Sequence, residues 1–175
     1  MNDNAMARAF TGYAARKLSD HYSQIKRCAA LLSNGQLWYR PNDSSNAVGN
    51  LLLHLRGNIT QWILSGIAGR PGDRNRQAEF DQRDLLPTKT LVDNLGQTID
   101  DATAVIEEMA AESLVREYEI QAYTVSGVAA VTHVVEHFAF HTGQIVTTTK
   151  WLLDVDLSLY DEHGHRRDGR ASGTP

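Results

Sequence analysis

Apolar residues recur at three- and four-residue intervals over four long stretches of this 175-residue chain. That spacing lines one face of a helix with about 3.6 residues per turn. The first stretch runs from about Met6 to Leu32 through Phe10, Ala14, Leu18, Tyr22, Ile25 and Ala29, and Ser33-Asn34-Gly35 stops it. The second spans Ala47 to Gly66, entered through the short polar side chains of residues 42–46, which are natural helix N-caps, and closed by Gly66, Gly69 and Pro71. The third follows Pro87, with Thr88 as its predicted N-cap, and continues to about Ala111 with Leu91, Leu95, Ile99 and Ile106 on one face. The fourth, Ser126 to Leu153, is apolar around most of its circumference and is therefore the expected buried helix.

Two connections interrupt this pattern. GRPGDRNRQAEFDQRD, between the second and third helices, is longer than a passive loop usually is and is a candidate lid. REYEIQAYTV, before the fourth helix, alternates polar and apolar residues, which fits either a short strand or an extended connector. Four amphipathic helices with two long connections predict an all-α protein, a four-helix bundle in which metal or cofactor sites form between facing helices. Residues 1–160 form one expected domain, and the polar, Gly-rich residues 161–175 an expected disordered tail.

Composition narrows the function. With 42% of residues apolar and 22% charged the chain is an ordinary globular protein, and its net charge of −4 excludes a broad nucleic-acid-binding surface. No apolar run is long enough to span a bilayer, so a cytoplasmic protein with no membrane partner is expected. The single cysteine, Cys28, excludes a disulfide framework and a multi-thiolate zinc site, and is expected as a small buried hydrophobe. Any metal must therefore rest on histidine.

His133, His137 and His141 stand four residues apart in the fourth helix, on the flank of its apolar centre. Such neighbours have Cβ atoms about 5–6 Å apart, close enough for two imidazoles to share one divalent ion. The second helix supplies a partner. Asn50, His54, Gly57, Asn58, Gln61 and Ser65 form a stripe of uncharged hydrogen-bonding residues where an exposed face would carry Lys or Glu, so the stripe reads as the wall of an interior polar cavity containing His54. His54, His137 and His141 plus one open position is the ligand pattern of a catalytic metal site. A rival parsing takes His133, Glu136 and His137 as an inverted zinc-peptidase signature, but a suitable distal carboxylate is lacking. A di-iron site fails because the second helix contains no Asp or Glu. His21, His163 and His165 are expected in solvent.

The segments SSNAVGNLLLHLRGNITQWI and THVVEHFAFHTGQIV together resemble the paired signatures of the DinB-like superfamily of small bacterial metalloproteins. The resemblance covers about 150 residues and is most specific at His137-x-x-x-His141-Thr-Gly-Gln. It implies an up-down-down-up bundle, usually a homodimer, with zinc or nickel held by His54, His137 and His141. It further implies relatives that transfer low-molecular-weight thiols such as bacillithiol or mycothiol, beside many of no known activity. His133 recurs in such relatives without being a usual ligand, which gives it a supporting role beside the cavity residues Asn50, Asn58, Gln61 and Gln144.

Two functions follow: a metal-dependent thiol transferase, or a non-catalytic metal-binding or stress-related protein, with hydrolysis by bound water as a variant. Arg70, Arg74, Arg76 and Arg83 of the long connection are candidates for binding a carboxylate or phosphate of a thiol cofactor, against the alternative of a loop paired with its own Asp and Glu.

Overall fold

The computed structural model describes residues 3–165 and 167. Four long helices carry the fold: α1 (Asp3–Leu31), α3 (Val48–Ile59), α5 (Thr88–Glu107) and α7 (Gly127–Leu153). Short elements fill the connections: α2 (Asn34–Leu37), α4 (Arg76–Asp81), α6 (Ala111–Val115) and a hairpin of β1 (Glu117–Ile120) and β2 (Tyr123–Ser126). The two strands pair antiparallel with Glu117 opposite Ser126, which resolves the alternating segment as a hairpin.

The direction of each helix follows from contacts at one end of the bundle. Tyr22 near the end of α1 donates from Oη to the carbonyl of Val92 near the start of α5 (3.1 Å). Trp38, just past α2, donates from Nε1 to the carbonyl of Leu86 (3.0 Å) and packs against Gly49 at the start of α3, where a Cβ would come within 2.7 Å of the indole. Cys28 near the end of α1 meets Thr149 near the end of α7. The ends of α1 and α7 thus lie together with the starts of α3 and α5, the up-down-down-up arrangement. Leu18, Ile25, Leu52, Leu55, Leu95, Ile99, Phe138 and Ile145 from these helices are fully buried between them. Each such side chain contributes about 1.5–3 kcal/mol by leaving water.

Local chemistry moved several predicted boundaries. Ser33 does not merely end α1: it caps α2, its Oγ accepting from the Gln36 N–H while the Gln36 side chain accepts from the Ser33 N–H. Asn42 builds a turn rather than a cap, accepting from the Ser44 N–H and the Ser45 hydroxyl, and the N-cap of α3 is Ala47, whose N–H is taken by Asn50 Oδ1 (3.2 Å). The N-cap of α5 is Pro87, because the Thr88 N–H and hydroxyl are both committed to Asn34 Oδ1. That helix stops at Glu107, and Ala111 begins α6 instead.

The largest departure is at the end of α3. Residues Thr60–Ile67 continue it as a π-helical segment, with the Ala68 N–H reaching five residues back to the Ile63 carbonyl (3.0 Å). The hairpin seats Ile120 against Gly66 of this wider turn, where any Cβ would come within 2.6 Å of the isoleucine side chain. Past α7, Asp161 organises a turn by accepting from the His163 and His165 N–H groups. The remainder of the tail expected from sequence, residue 166 and residues 168–175, lies outside the described residues.

Candidate metal centre

Because α3 and α7 run antiparallel, each step up one helix meets a step down the other. Asn58 lies against His133 (Nδ2 to Nε2, 3.3 Å), and one turn further His54 meets His137 (Nε2 to Nε2, 2.9 Å). His141 completes the group, its ring 5.1 Å from that of His54 and 4.4 Å from that of His137, both nearly edge-on. One ring nitrogen from each of the three lies within 4.8 Å of the others, the one such group of metal-ligating side chains among the described residues.

Hydrogen bonds on the outer ring nitrogens decide which nitrogens are free. His54 Nδ1 is 2.9 Å from Glu79 Oε2, and His141 Nδ1 is 2.7 Å from Gln144 Oε1. Arg74 Nη2 also approaches His54 Nδ1 (3.2 Å), but its shorter bond goes to Glu79 Oε2 (2.9 Å), so at both histidines the oxygen acceptor takes the Nδ1 proton and leaves Nε2 with its lone pair, the tautomer a metal needs. Burial, then the neighbouring His141, His54, His133 and Arg74, push the His137 pKa down to about 3. Burial also lowers the pKa of His141 and of His133. His137 and His141 are therefore neutral imidazoles at physiological pH, and the three-nitrogen donor set fits a borderline divalent ion.

Glu79, which the sequence reading did not single out, comes from α4 in the long connection. That segment is a strap laid across α3, and Asn50 holds it. The Asn50 amide donates to the carbonyls of Glu79 (2.8 Å) and Gln82 (3.2 Å), while Arg40 donates to Asn50 Oδ1 (2.7 Å) and the Phe80 carbonyl (3.0 Å). Arg74 grips Glu79 through Nε to Oε1 (2.7 Å) and Nη2 to Oε2 (2.9 Å), and its Nη1 donates to Gln61 Oε1 (2.8 Å). Burial alone would raise the Glu79 pKa, but the hydrogen bonds from Arg74 and His54 outweigh it and hold the carboxyl below its ordinary value. Gly57 makes room, because a Cβ there would sit 2.0 Å from Glu79 Oε1. A glycine interrupting the amide stripe was the signal in the sequence for this close approach.

The other expected residues take distinct places. Arg70 forms an exposed pair with Asp101 (3.7 Å), Arg76 lies over the Phe80 ring (4.8 Å), and Arg83 donates to the carbonyls of Phe80 and Gln82. Phe80 in turn packs on the His54 ring (4.7 Å). His133 is sandwiched between Trp62 (4.0 Å) and His137 (5.6 Å) rather than joining the three-histidine group. His21 is half-buried on α1 rather than solvated, whereas His163 and His165 are exposed beside acidic partners. Cys28 is fully buried, and burial pushes its thiol pKa up, which suits a packing role and not a nucleophile.

The chain belongs to the family described as Protein of unknown function (DUF1572), whose model matches residues 5–160, and with it to the DinB-like superfamily. A DinB-like protein from Bacillus subtilis has a similar structure, with a TM-score of 0.64 at 18% identity over 88% of this chain and 99% of that one. A DinB-like protein from Bacillus cereus aligns with a TM-score of 0.61 at 15% identity, over 79% and 90% of the two chains. A conserved protein from Enterococcus faecalis gives 0.68 at 13% identity, over 83% and 98%. At these identities the likeness is one of fold. Among curated proteins none matches the sequence significantly. No helix among the described residues is long and apolar enough to cross a membrane.

Proposed function

We propose that this protein binds one zinc or nickel ion per chain through His54, His137 and His141, leaving one position open, and uses it to transfer a low-molecular-weight thiol to an electrophilic substrate. The observation that carries the reading is the Glu79–His54 hydrogen bond at 2.9 Å, which turns the His54 Nε2 lone pair toward His137 and His141. A bound ion would supply Lewis acidity, lowering the pKa of a thiol or water in its open position. The protein's own groups favour the thiol. Arg74 holds both Glu79 oxygens and keeps that carboxyl below its ordinary range, and His133, its Nε2 facing Asn58, is lowered by burial, so both are weak candidates for the general base that water attack requires. A thiol that would release its proton to solvent on binding the ion needs no such base: its sulfur bonds to the electrophilic carbon, and the bond from that carbon to the leaving group breaks, the leaving group departing with the electron pair. Storage or sensing of the ion without catalysis is the second reading, and the tight Arg74–Glu79 clasp around His54 supports it.

A homodimer belongs to this proposal, supported by Met6 and Tyr13, which stand exposed seven residues apart on α1. The metal assignment is tested by elemental analysis of untagged protein and of His54→Ala, His137→Ala and His141→Ala. About one ion per chain is expected in the wild type and a large loss in each variant; full metal in all three variants overturns the assignment. Transfer chemistry is tested by titrating the cobalt-substituted protein with glutathione, bacillithiol, mycothiol and coenzyme A. A saturable charge-transfer band with one of them supports thiol transfer, and no change with any of them leaves the non-catalytic reading.

A further inference from the structure

The surface of α7, Leu51 of α3 and the segment between α2 and α3 border a groove of about 640 Å³. Beside Pro41 and Leu51, its apolar walls carry three aromatic side chains: Tyr39 and Trp151, with ring centroids 6.0 Å apart, and Phe140, which sits edge-on to the His141 ring at 5.1 Å. Its polar lining is hydroxyl and amide, including Ser45, Asn46, Gln144, Thr147 and Thr148, and none of the lining residues carries a charge. Trp151 is 63% exposed and Phe140 64%, a large aromatic outlay for a solvent-facing surface.

This lining selects by chemistry. A phosphate or carboxylate seated here would lose part of its water without meeting a cation among the lining residues, a cost that disfavours anionic ligands. Aromatic faces favour a ring that can lie flat on them, and the hydroxyl and amide groups favour substituents that both donate and accept hydrogen bonds. Gln144 joins the groove to the three-histidine cluster. Its Oε1 is used by His141, which leaves its Nε2 hydrogens for a ligand.

We infer that this groove is a binding subsite for a neutral, hydroxylated ring compound, placed so that its occupant lies beside the His54–His137–His141 cluster. As a substrate subsite it rests on the metal reading above; as a binding site it does not. Sugars and phenols share the required chemistry, and the experiment separates them.

Tryptophan fluorescence reports on the groove, since Trp38 and Trp62 are buried and Trp151 is not. Untagged full-length protein, metal-loaded and chelator-treated, is titrated with methyl β-glucoside, with resorcinol, and with glucuronate as the charged counterpart of the sugar. Saturable quenching by the glucoside or by resorcinol is expected, about tenfold or more tighter than by glucuronate, and the neutral ligand that binds identifies the source. The same titration by calorimetry with Trp151→Leu and Gln144→Ala should show binding lost in the first and weakened in the second, with metal content unchanged in Trp151→Leu. No saturation with either neutral ligand, equal binding of glucuronate, or unaltered binding by Trp151→Leu overturns the inference. Trp151 emission that changes with protein concentration alone also overturns it, because a second copy then covers the face. Saturable binding in protein that takes up no metal would sink the metal reading and leave the groove standing.

Discussion

Glu79 Oε2 lies 2.9 Å from Nδ1 of His54, although 25 residues separate them in the chain. The carboxylate makes one contact with the cluster and is itself gripped twice by Arg74, so the long connection fixes the proton position on a histidine of the bundle core. A strap that looks peripheral is therefore part of how the cluster is held.

Replacing Glu79 should weaken metal binding without removing a ligand. Glu79→Gln retains an oxygen for His54 but loses the negative charge that raises ligand basicity, and such partners are typically worth about 10–100-fold in affinity. Competition titration with a chromophoric chelator measures this directly, and an unchanged affinity would show that Glu79 serves the strap alone.

Gly57→Ala tests the close approach from the other side. The added methyl would meet Glu79 Oε1 at 2.0 Å, so the strap must shift. The expected outcome is faster proteolysis between residues 70 and 86, metal affinity lowered as in Glu79→Gln, and a stability loss of about 1–3 kcal/mol in urea unfolding. A variant as protease-resistant as the wild type would contradict the packing described.

The metal-free protein should lose stability as pH falls. His137 takes up a proton only near pH 3 when folded but near 6.5 when unfolded, so between these values the unfolded chain binds more protons. Stability is full above about pH 6.5 and declines progressively toward pH 3, with His141 and His133, both lowered by burial, acting in the same direction. Denaturation midpoints of chelator-treated wild type and His137→Gln across this range check it: the wild type should show the steeper slope.

Sedimentation at micromolar concentration addresses the assembly. A dimer that Met6→Lys and Tyr13→Lys together dissociate is expected if the exposed stripe on α1 forms the interface. A wild-type monomer at all concentrations would remove that part of the proposal.

The sequence by itself determined what depends on local geometry. A 3.6-residue repeat follows from helix sterics, so the four long helices could be read from apolar spacing, and the same repeat put His137 and His141 on one face and set His54 in an uncharged stripe. The all-α bundle followed because amphipathic helices have few ways to bury their stripes. Tertiary structure alone decided what depends on residues distant in the chain. Hydrogen bonds from Asn50 to strap carbonyls and from Arg74 to Glu79 have no periodicity to betray them, since a loop's path is set by the surface it lands on. The same holds for the π-helical turn at Thr60–Ile67, whose five-residue reach leaves no residue-type signature and which seats the hairpin's Ile120 against Gly66. Helix periodicity could thus bring three histidines and the Gln144 amide to one cavity, but only packing could choose the carboxylate that fixes the proton of His54.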